Sequence, residues 1–230
     1  MANNRHSELL AVGSDRSPSR AREDYAKAIY QLGGGLPVRA ADLARYLNVS
    51  RVSVSKAKRL LEADGLIERS VPSEPLRLSR RGEKLAVAMV RRHRLLETFL
   101  HRSLHVPLER VHAEAERIEH VISDDVALRI AALLGRPESD PHGHPIPYDE
   151  KPRASKPLPT LAGVAPGGKA RVISLDDRDD LAVAALAGAG VLPGSLLRVE
   201  RNDRDRIVVR HGKRVVTLRR SHAEMVRVGT

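Results

Sequence analysis

The chain has 230 residues, enough for one large domain or two to three small ones. Lysine plus arginine number 40 against 29 aspartate plus glutamate, a net charge of +11 that favours a polyanionic partner, nucleic acid first. The absence of cysteine excludes disulfides, zinc–thiolate sites and cysteine-ligated iron–sulfur clusters, and one Phe, four Tyr and no Trp argue against an RNA or single-strand binder that stacks bases on aromatic rings.

Residues 1–20 are polar and rich in Ser, Asn and Arg, as expected of a loose arm. A helix begins near Ala21, with Tyr25, Ala28, Ile29 and Leu32 as its apolar stripe and GGG at 33–35 as its stop. Residues 40–46 read as a helix, 47–49 as a turn and 50–63 as a second helix capped by Ser50, with Ala44, Leu47, Val49, Val54 and Leu60 or Leu61 packing between them. Gly65 stops the second helix, and 66–71 and 76–79 pair as a small hairpin. The pattern is a winged helix-turn-helix. In such a motif the start of the second helix enters the major groove, which assigns DNA contacts to Ser50, Arg51, Val52, Ser53, Ser55 and Lys56. Lys58 and Arg59 continue the positive face, and Arg77, Arg80 and Arg81 in or after the wing neutralise flanking phosphates.

A long helical pattern starts near Arg81, followed by helices at 111–123 and 124–134 that Gly135 ends. Taken as one helix, VHAEAERIEHVIS at 111–123 places Val111, Ala115, Ile118 and Ile122 on an apolar stripe. It places His112, Glu116, Glu119 and His120 on the adjoining face, because residues four, seven and eight apart lie close together. His93 and Glu97 repeat the arrangement at i, i+4. Clustered carboxylates and imidazoles beside a core face are the pattern of a divalent-metal site. His142 and His144, in PHGHP, have the chemistry to chelate, but the segment reads as a proline-rich structural turn. Residues 136–159 form an irregular connection. From Pro166 the periodicity becomes that of strands at 170–174, 196–200, 206–210 and 214–218, with a short helix at 180–187: a small SH3-like barrel. No signal peptide or membrane span is apparent, so a cytoplasmic location with no membrane partner is expected.

DYAKAIY, RRHRLLETFL, VHAEAERIEHVISDD and DPHGHPIP together resemble the diphtheria-toxin-repressor family of metal-dependent transcriptional repressors, with elements in the same order from about Glu23 to Arg227. The resemblance implies a mainly α fold with small β parts: a winged helix-turn-helix at 21–80, a helical dimerisation and metal-binding domain at 81–150, a linker at 151–165 and an SH3-like domain at 166–230. It implies a primary metal site of Asp24, Glu116, Glu119 and His120, and a second of His93, Glu97 and His112, to which Asp177 and Asp180 of the SH3-like domain are added. Asp24 and Glu116 stand where iron-sensing members carry methionine and cysteine. Carboxylates there harden the site and point to Mn²⁺, the manganese branch of the family, with Fe²⁺ as the alternative. Lys27 stands where two-domain manganese regulators carry a glutamate, which speaks against their tightly paired two-metal arrangement. The function expected is a Mn²⁺-activated homodimeric repressor of metal-uptake genes on palindromic double-stranded operator DNA. A di-metal helical metalloenzyme is the competing class, but paired Glu-x-x-His and His-Glu-x-x-His motifs are absent, as are a Ser/His/Asp set and a P-loop. A metal-independent winged-helix regulator leaves the His/Glu cluster unexplained.

Overall fold

The structure is a computed structural model that describes residues 18–71, 73–149 and 158–229. Nearly all of the expected N-terminal arm, and the first half of the expected linker, lie outside the described residues.

Four buried apolar clusters organise the described residues, one in the N-terminal part, two in the helical part and one in the C-terminal part. The first joins α1 (Arg20–Gly33), α2 (Ala40–Tyr46) and α3 (Arg51–Ala63). Its centre is Ala26, Ile29, Leu43, Val54, Leu61, Leu66 and Leu76. Of the two candidates for the helix-packing leucine it is Leu61 that is fully buried, while Leu60 is half exposed. On α1 the buried stripe is Ala26, Ala28 and Ile29, and Leu32 lies at the edge. The expected hairpin is reduced to single bridges, Ile67 with Leu78 and Val38 with Leu76, so the wing is also tied to the segment between α1 and α2.

The long helix α4 (Arg80–Leu104) packs on α1 at one end and on α5 (Leu108–Ile118) and α6 (Asp124–Leu133) at the other. Gly82, in its first turn, allows this approach: a Cβ there would lie 1.9 Å from the Leu66 carbonyl oxygen. Leu96, Leu100, Val111 and Ala115 form the α4–α5 core. The expected single helix over 111–123 ends early, at Ile118; Glu119 caps it and His120 lies in the following turn. Its start is earlier too, because Pro107 precedes the first helical residue and fixes the entry.

The C-terminal part is a five-stranded antiparallel sheet of β1 (Lys169–Leu175), β2 (Leu196–Asn202), β3 (Arg206–His211), β4 (Arg214–Arg219) and β5 (Val226–Gly229), in the order β4-β3-β2-β1-β5. This is the SH3-like unit. Bulges at Val172/Ser174 and Val199/Arg201 bend it around a core of Val172, Leu175, Val199, Ile207, Val209 and Val228. Helix α7 (Asp180–Gly188) follows β1, and the short α8 (Arg220–Glu224) joins β4 to β5. Strand β5 and α8 were not anticipated, because VRVG is four residues long and carries no turn signal before it.

Two contacts place this sheet against the helical part. The Leu175 amide donates to the His142 carbonyl at 2.9 Å. Gly143, at φ 90°, lies where a Cβ would be 2.1 Å from the Ile173 carbonyl oxygen. The segment between α6 and the linker is therefore seated on β1.

Candidate metal centre

The first cluster joins the middle of α1 to the C-terminal end of α5. His120 Nε2 lies 2.9 Å from Asp24 Oδ1 and 3.3 Å from Glu119 Oε1, while its Nδ1 lies 2.7 Å from Glu23 Oε2. One ligand atom each from Asp24, Glu119 and His120 falls within 4.8 Å of the others. Glu119 is fully buried. Lys27, itself 5% exposed, donates to Glu119 Oε1 at 2.6 Å and to Glu116 Oε1 at 2.8 Å. Burial pushes the Asp24 carboxyl up, with His120 and Lys27 opposing. Burial alone would raise Glu116 and Glu119 as well, but Lys27 for the former, and His93 and Lys27 for the latter, hold both below the usual carboxylate range. Burial by itself would lower the Lys27 ammonium; the two glutamates raise it instead.

The second cluster gathers side chains from four segments. His93 and Glu97, one turn apart on α4, are both buried. His93 Nε2 lies 3.1 Å from Glu97 Oε1 and 3.1 Å from His112 Nδ1. His112 Nδ1 lies 3.3 Å from Glu97 Oε1 and 3.5 Å from Asp177 Oδ2, the latter in the loop after β1. One ligand atom each from His93, Glu97, His112 and Asp177 lies within 4.8 Å of the rest. The seated turn brings His142, whose Nδ1 is 3.7 Å from Glu97 Oε1 and 3.7 Å from Asp177 Oδ2. His144 Nδ1 lies 3.2 Å from Asp140 Oδ2 and 3.6 Å from Asp177 Oδ2. Burial opposes the charged imidazole of His93, yet Glu97 and Glu119 raise it to about 9. For His112 the bonds to Asp177 and Glu97 overcome burial and raise it to about 11. The imidazoles in turn overcome burial at Glu97 and Asp177 and hold both carboxyls well below their ordinary values.

Glu119 belongs to both clusters. Its Oε2 lies 2.6 Å from His93 Nδ1, so the ring whose Nε2 faces the second cluster is oriented by a carboxylate of the first.

The structure thus brings Asp24, Glu119 and His120 together, with Glu116 held beside them through Lys27. It also brings together His93, Glu97, His112 and Asp177. The expectation for Asp180 is corrected. It is the exposed first residue of α7, outside every cluster, because Asp179 ends the loop by capping that helix with its side chain on the Ala182 amide. His142 and His144 are corrected in the other direction: their turn is structural, and it also delivers both rings to the edge of the second cluster. Glu23 was missed. Its only signal was its place in the first turn of α1, next to Asp24.

A third region is the exposed face of α3. Ser50 caps the helix, accepting from the Ser53 amide at 3.0 Å. Arg51, Val52, Ser53, Ser55, Lys56 and Arg59 all face outward, and Val52 is 75% exposed although apolar. Lys58 turns away from this face and donates to the Ser70 and Val71 carbonyls, anchoring the wing. Arg77 is exposed in the wing and pairs with Glu68 at 3.6 Å.

The donor chemistry fits a divalent cation. Four buried side-chain polar atoms have no hydrogen-bond partner among the described residues, Arg22 Nε, Ser70 Oγ, Glu97 Oε2 and His142 Nδ1, and the last two lie at the second cluster. Among the described residues, no helix is long and apolar enough to cross a membrane.

Comparison with known proteins agrees part by part. Residues 19–71 match the family "Iron dependent repressor, N-terminal DNA binding domain", 79–148 match "Iron dependent repressor, metal binding and dimerisation domain", and 160–229 match the FeoA domain. The iron-dependent repressor IdeR of Mycobacterium leprae is 33% identical over 222 residues, covering 90% of this chain and 95% of that one. The diphtheria toxin repressor of Corynebacterium glutamicum is 34% identical over 220 residues, covering 90% and 94%. A solved manganese-dependent transcriptional repressor in complex with manganese superposes with a TM-score of 0.79 at 33% identity, over 90% of this chain and 98% of that one. The manganese regulator SloR gives 0.71 at 26% identity, over 90% and 97%. With a DNA-reading helix, two carboxylate–imidazole clusters and relatives matched nearly end to end, the chain belongs to the diphtheria toxin repressor family of metal-dependent transcriptional repressors, which are not enzymes.

Proposed function

We propose that this chain is a Mn²⁺-activated homodimeric repressor that binds palindromic operator DNA and controls manganese-uptake genes. The observation that carries the metal assignment is the donor set of the first cluster: Asp24, Glu119 and His120 converge, Glu116 stands beside them, and no sulfur atom takes part. Oxygen donors with one imidazole suit a hard cation such as Mn²⁺. Asp24 lies on α1, whose apolar stripe packs in the same core as the recognition helix, while Glu116, Glu119 and His120 lie at the end of α5. A divalent cation at these donors neutralises the gathered carboxylates and links the two parts. His93, Glu97, His112 and Asp177 form the second centre and tie the SH3-like unit to the helical part. Ser50 orients the recognition helix, and Arg51, Val52, Ser53, Ser55, Lys56, Arg59 and Arg77 meet the DNA. The division into parts at 21–80, 81–150 and 166–230 belongs to the same proposal.

Fe²⁺ is the second reading, supported by the relatives named as iron-dependent repressors at 33% identity. Gel-shift titration of operator DNA with Mn²⁺ and with Fe²⁺ under anaerobic conditions separates the two. Activation by Mn²⁺ at the lower concentration supports the proposal; activation by Fe²⁺ alone overturns it. Loss of metal-dependent DNA binding in both Asp24→Ala and Glu116→Ala is expected, and its full retention in both refutes the site assignment.

A further inference from the structure

The outer face of the C-terminal sheet carries charge that neither metal cluster nor the recognition helix uses. The strand registers decide which side chains share it. Lys169 of β1 stands opposite Arg198 of β2, and Arg198 stands opposite Arg210 of β3. Arg206 of β3 stands opposite Arg219 of β4. Side chains alternate along a strand, so Arg206 and Arg210, four residues apart, point to the same side. The bulge in β2 pairs Arg201 with Val208, which lies between them, and so adds Arg201 to that side. All six cations are exposed, while Leu197, Ile207 and Val209 fill the inner face.

Like charges directly opposite one another on a sheet repel. Here three such pairs share one face, and the carboxylates that could relieve them are elsewhere. Asp176, Asp177, Asp179 and Asp180 gather after β1, at the other end of that strand from Lys169. Among the described residues, ion pairing on this face reduces to Glu200 with Arg210, at 2.7 Å. The side chains of Lys169, Arg198, Arg201, Arg206 and Arg219 have no hydrogen-bond or ion-pair partner among the described residues.

Four strands at about 4.8 Å spacing make this face about 14 Å wide. Duplex DNA carries one phosphate charge per about 1.7 Å of its axis, so that width spans about eight. Five of the six cations are arginines, whose fork of donors fits a phosphate. No Phe, Tyr or Trp occurs in residues 158–229, so the face offers no ring on which unpaired bases could stack. Its exposed apolar side chains, Leu196 and Val215, lie on separate strands, not on an amphipathic helix that could enter a lipid surface. The sheet is also carried beside the DNA reader: the loop after β1 sets Arg178 over the ring of Tyr46, the last residue of α2, at 4.5 Å. A duplex gripped by α3 meets this part at high effective concentration. We propose that the outer face of the SH3-like sheet is a second, sequence-independent contact to the phosphate backbone of duplex DNA, an inference that rests on the chain binding DNA through α3.

Backbone contacts carry no sequence information, so a mixed-sequence duplex of about 40 base pairs serves as the probe. Its binding to the full chain with Mn²⁺ is followed by fluorescence anisotropy across a salt series. The triple variant Arg198→Ala, Arg206→Ala, Arg219→Ala is expected to lower the slope of log affinity against log salt by about 2–3 and to bind at least about 10-fold more weakly at low salt. Its melting temperature and Mn²⁺ affinity are expected to stay at the wild-type values, since these side chains are exposed and touch neither cluster. Arg198→Lys, Arg206→Lys and Arg219→Lys together are expected to restore the slope. If the alanine triple misfolds by circular dichroism, Arg198→Gln, Arg206→Gln and Arg219→Gln carry the test. An unchanged slope in the folded triple, with Lys56→Ala lowering it by about 1, overturns the sheet contact and leaves the α3 reading standing. An unchanged slope in both overturns both. Phosphatidylserine vesicles are the counter-probe: a triple variant that loses these and keeps wild-type DNA binding assigns the face to an anionic membrane and overturns the proposal.

Discussion

Lys27 occupies the space between two carboxylates of the first cluster, so replacing it with methionine separates the demands of the metal-free and metal-loaded forms. Methionine keeps the apolar stem and removes the ammonium that donates to Glu119 at 2.6 Å and Glu116 at 2.8 Å. Removing one partner of a buried ion pair costs about 3–5 kcal/mol, because the other charge is left buried without compensation. Only Glu119 is fully buried, and it keeps His93 Nδ1 at 2.6 Å, so the lower end of that range is the upper bound here. The Glu116 side chain is 47% exposed, so water screens its part to well under about 1 kcal/mol. The metal-free Lys27→Met protein is therefore expected to lose up to about 3 kcal/mol, a fall of at most roughly 6–12 °C in the melting of the helical part for a chain of this size. A bound cation takes over the neutralising role and no longer competes with the ammonium. If the whole penalty is relieved on binding, affinity rises by up to about 100-fold. Calorimetry with and without chelator gives the first number. The electron paramagnetic resonance signal of free Mn²⁺, followed in a titration, gives the second. Lys27→Arg, which keeps the charge, is the control. A Lys27→Met protein that melts at the wild-type temperature and binds Mn²⁺ no more tightly refutes this account of Lys27.

Further predictions concern the second centre, the seated turn and the DNA face. Burial is opposed by Glu97 at His93 (about 9) and by Asp177 and Glu97 at His112 (about 11), so the metal-free pair retains protons at neutral pH, while His93 Nε2 and His112 Nδ1, 3.1 Å apart, share a single one. Cation binding must displace those protons, so affinity is expected to rise about tenfold per pH unit for each proton released and to flatten above about pH 9 for His93; calorimetry in buffers of different ionisation enthalpy counts the protons. Raised imidazoles stabilise the metal-free fold fully below about 6.5 and cease to do so as pH climbs through their folded values. The depressed Glu97 and Asp177 stabilise above about 4 and lose that effect as pH falls, so metal-free stability, followed by thermal melts across pH, is expected to peak between the two limits. Gly143→Ala places a Cβ against the Ile173 carbonyl at a φ of 90°; a loss of about 1–3 kcal/mol by denaturant melt is expected. Lys56→Ala is expected to reduce the slope of log affinity against log salt by about 1 in operator binding, and an unchanged slope removes Lys56 from the phosphate contacts.

How much of this was legible in the chain depends on how locally each feature is encoded. Helices α2, α3, α4 and α6 declare themselves through apolar spacing, and α3 through Ser50 as well, whose side chain accepts from the Ser53 amide; the matching caps at Ser79 and Ser123 emerge only from the structure. The i, i+4 pair His93 and Glu97 was legible for the same reason. The early end of α5 was not, because Glu119 and His120 continue the helical pattern in sequence and only their contacts with Lys27, Glu23 and Asp24 set the break. Asp177 and Asp180 were indistinguishable in SLDDRDDL. What separates them is the cap at Asp179, which turns Asp180 outward while the preceding loop carries Asp177 toward His112. That His142 and His144 could chelate was legible, but their place beside the second cluster was not, because it depends on Gly143 fitting against β1, a contact between segments about thirty residues apart.

The two clusters are chemically joined, and the joint runs toward the recognition helix. Glu119 places one oxygen beside His120 and Lys27 and the other on His93 Nδ1, so a change of charge at the first cluster alters the basicity of a ring whose opposite nitrogen faces the second. The second cluster in turn fixes Asp177, and the next residue, Arg178, stacks its guanidinium 4.5 Å from the ring centroid of Tyr46, the last residue of α2. Asp176 holds that guanidinium in place with bonds of 2.8 and 2.5 Å. Tyr46 packs against the core that contains Leu43, Val54 and Leu61, the residues that set α2 against α3. Three consecutive residues, Asp176, Asp177 and Arg178, therefore address the sheet loop itself, the second cluster and the helix-turn-helix. Neither cluster has to lie close to DNA to bias the position of α3; the coupling needs only that the loop and α1 are held in one arrangement at the same time.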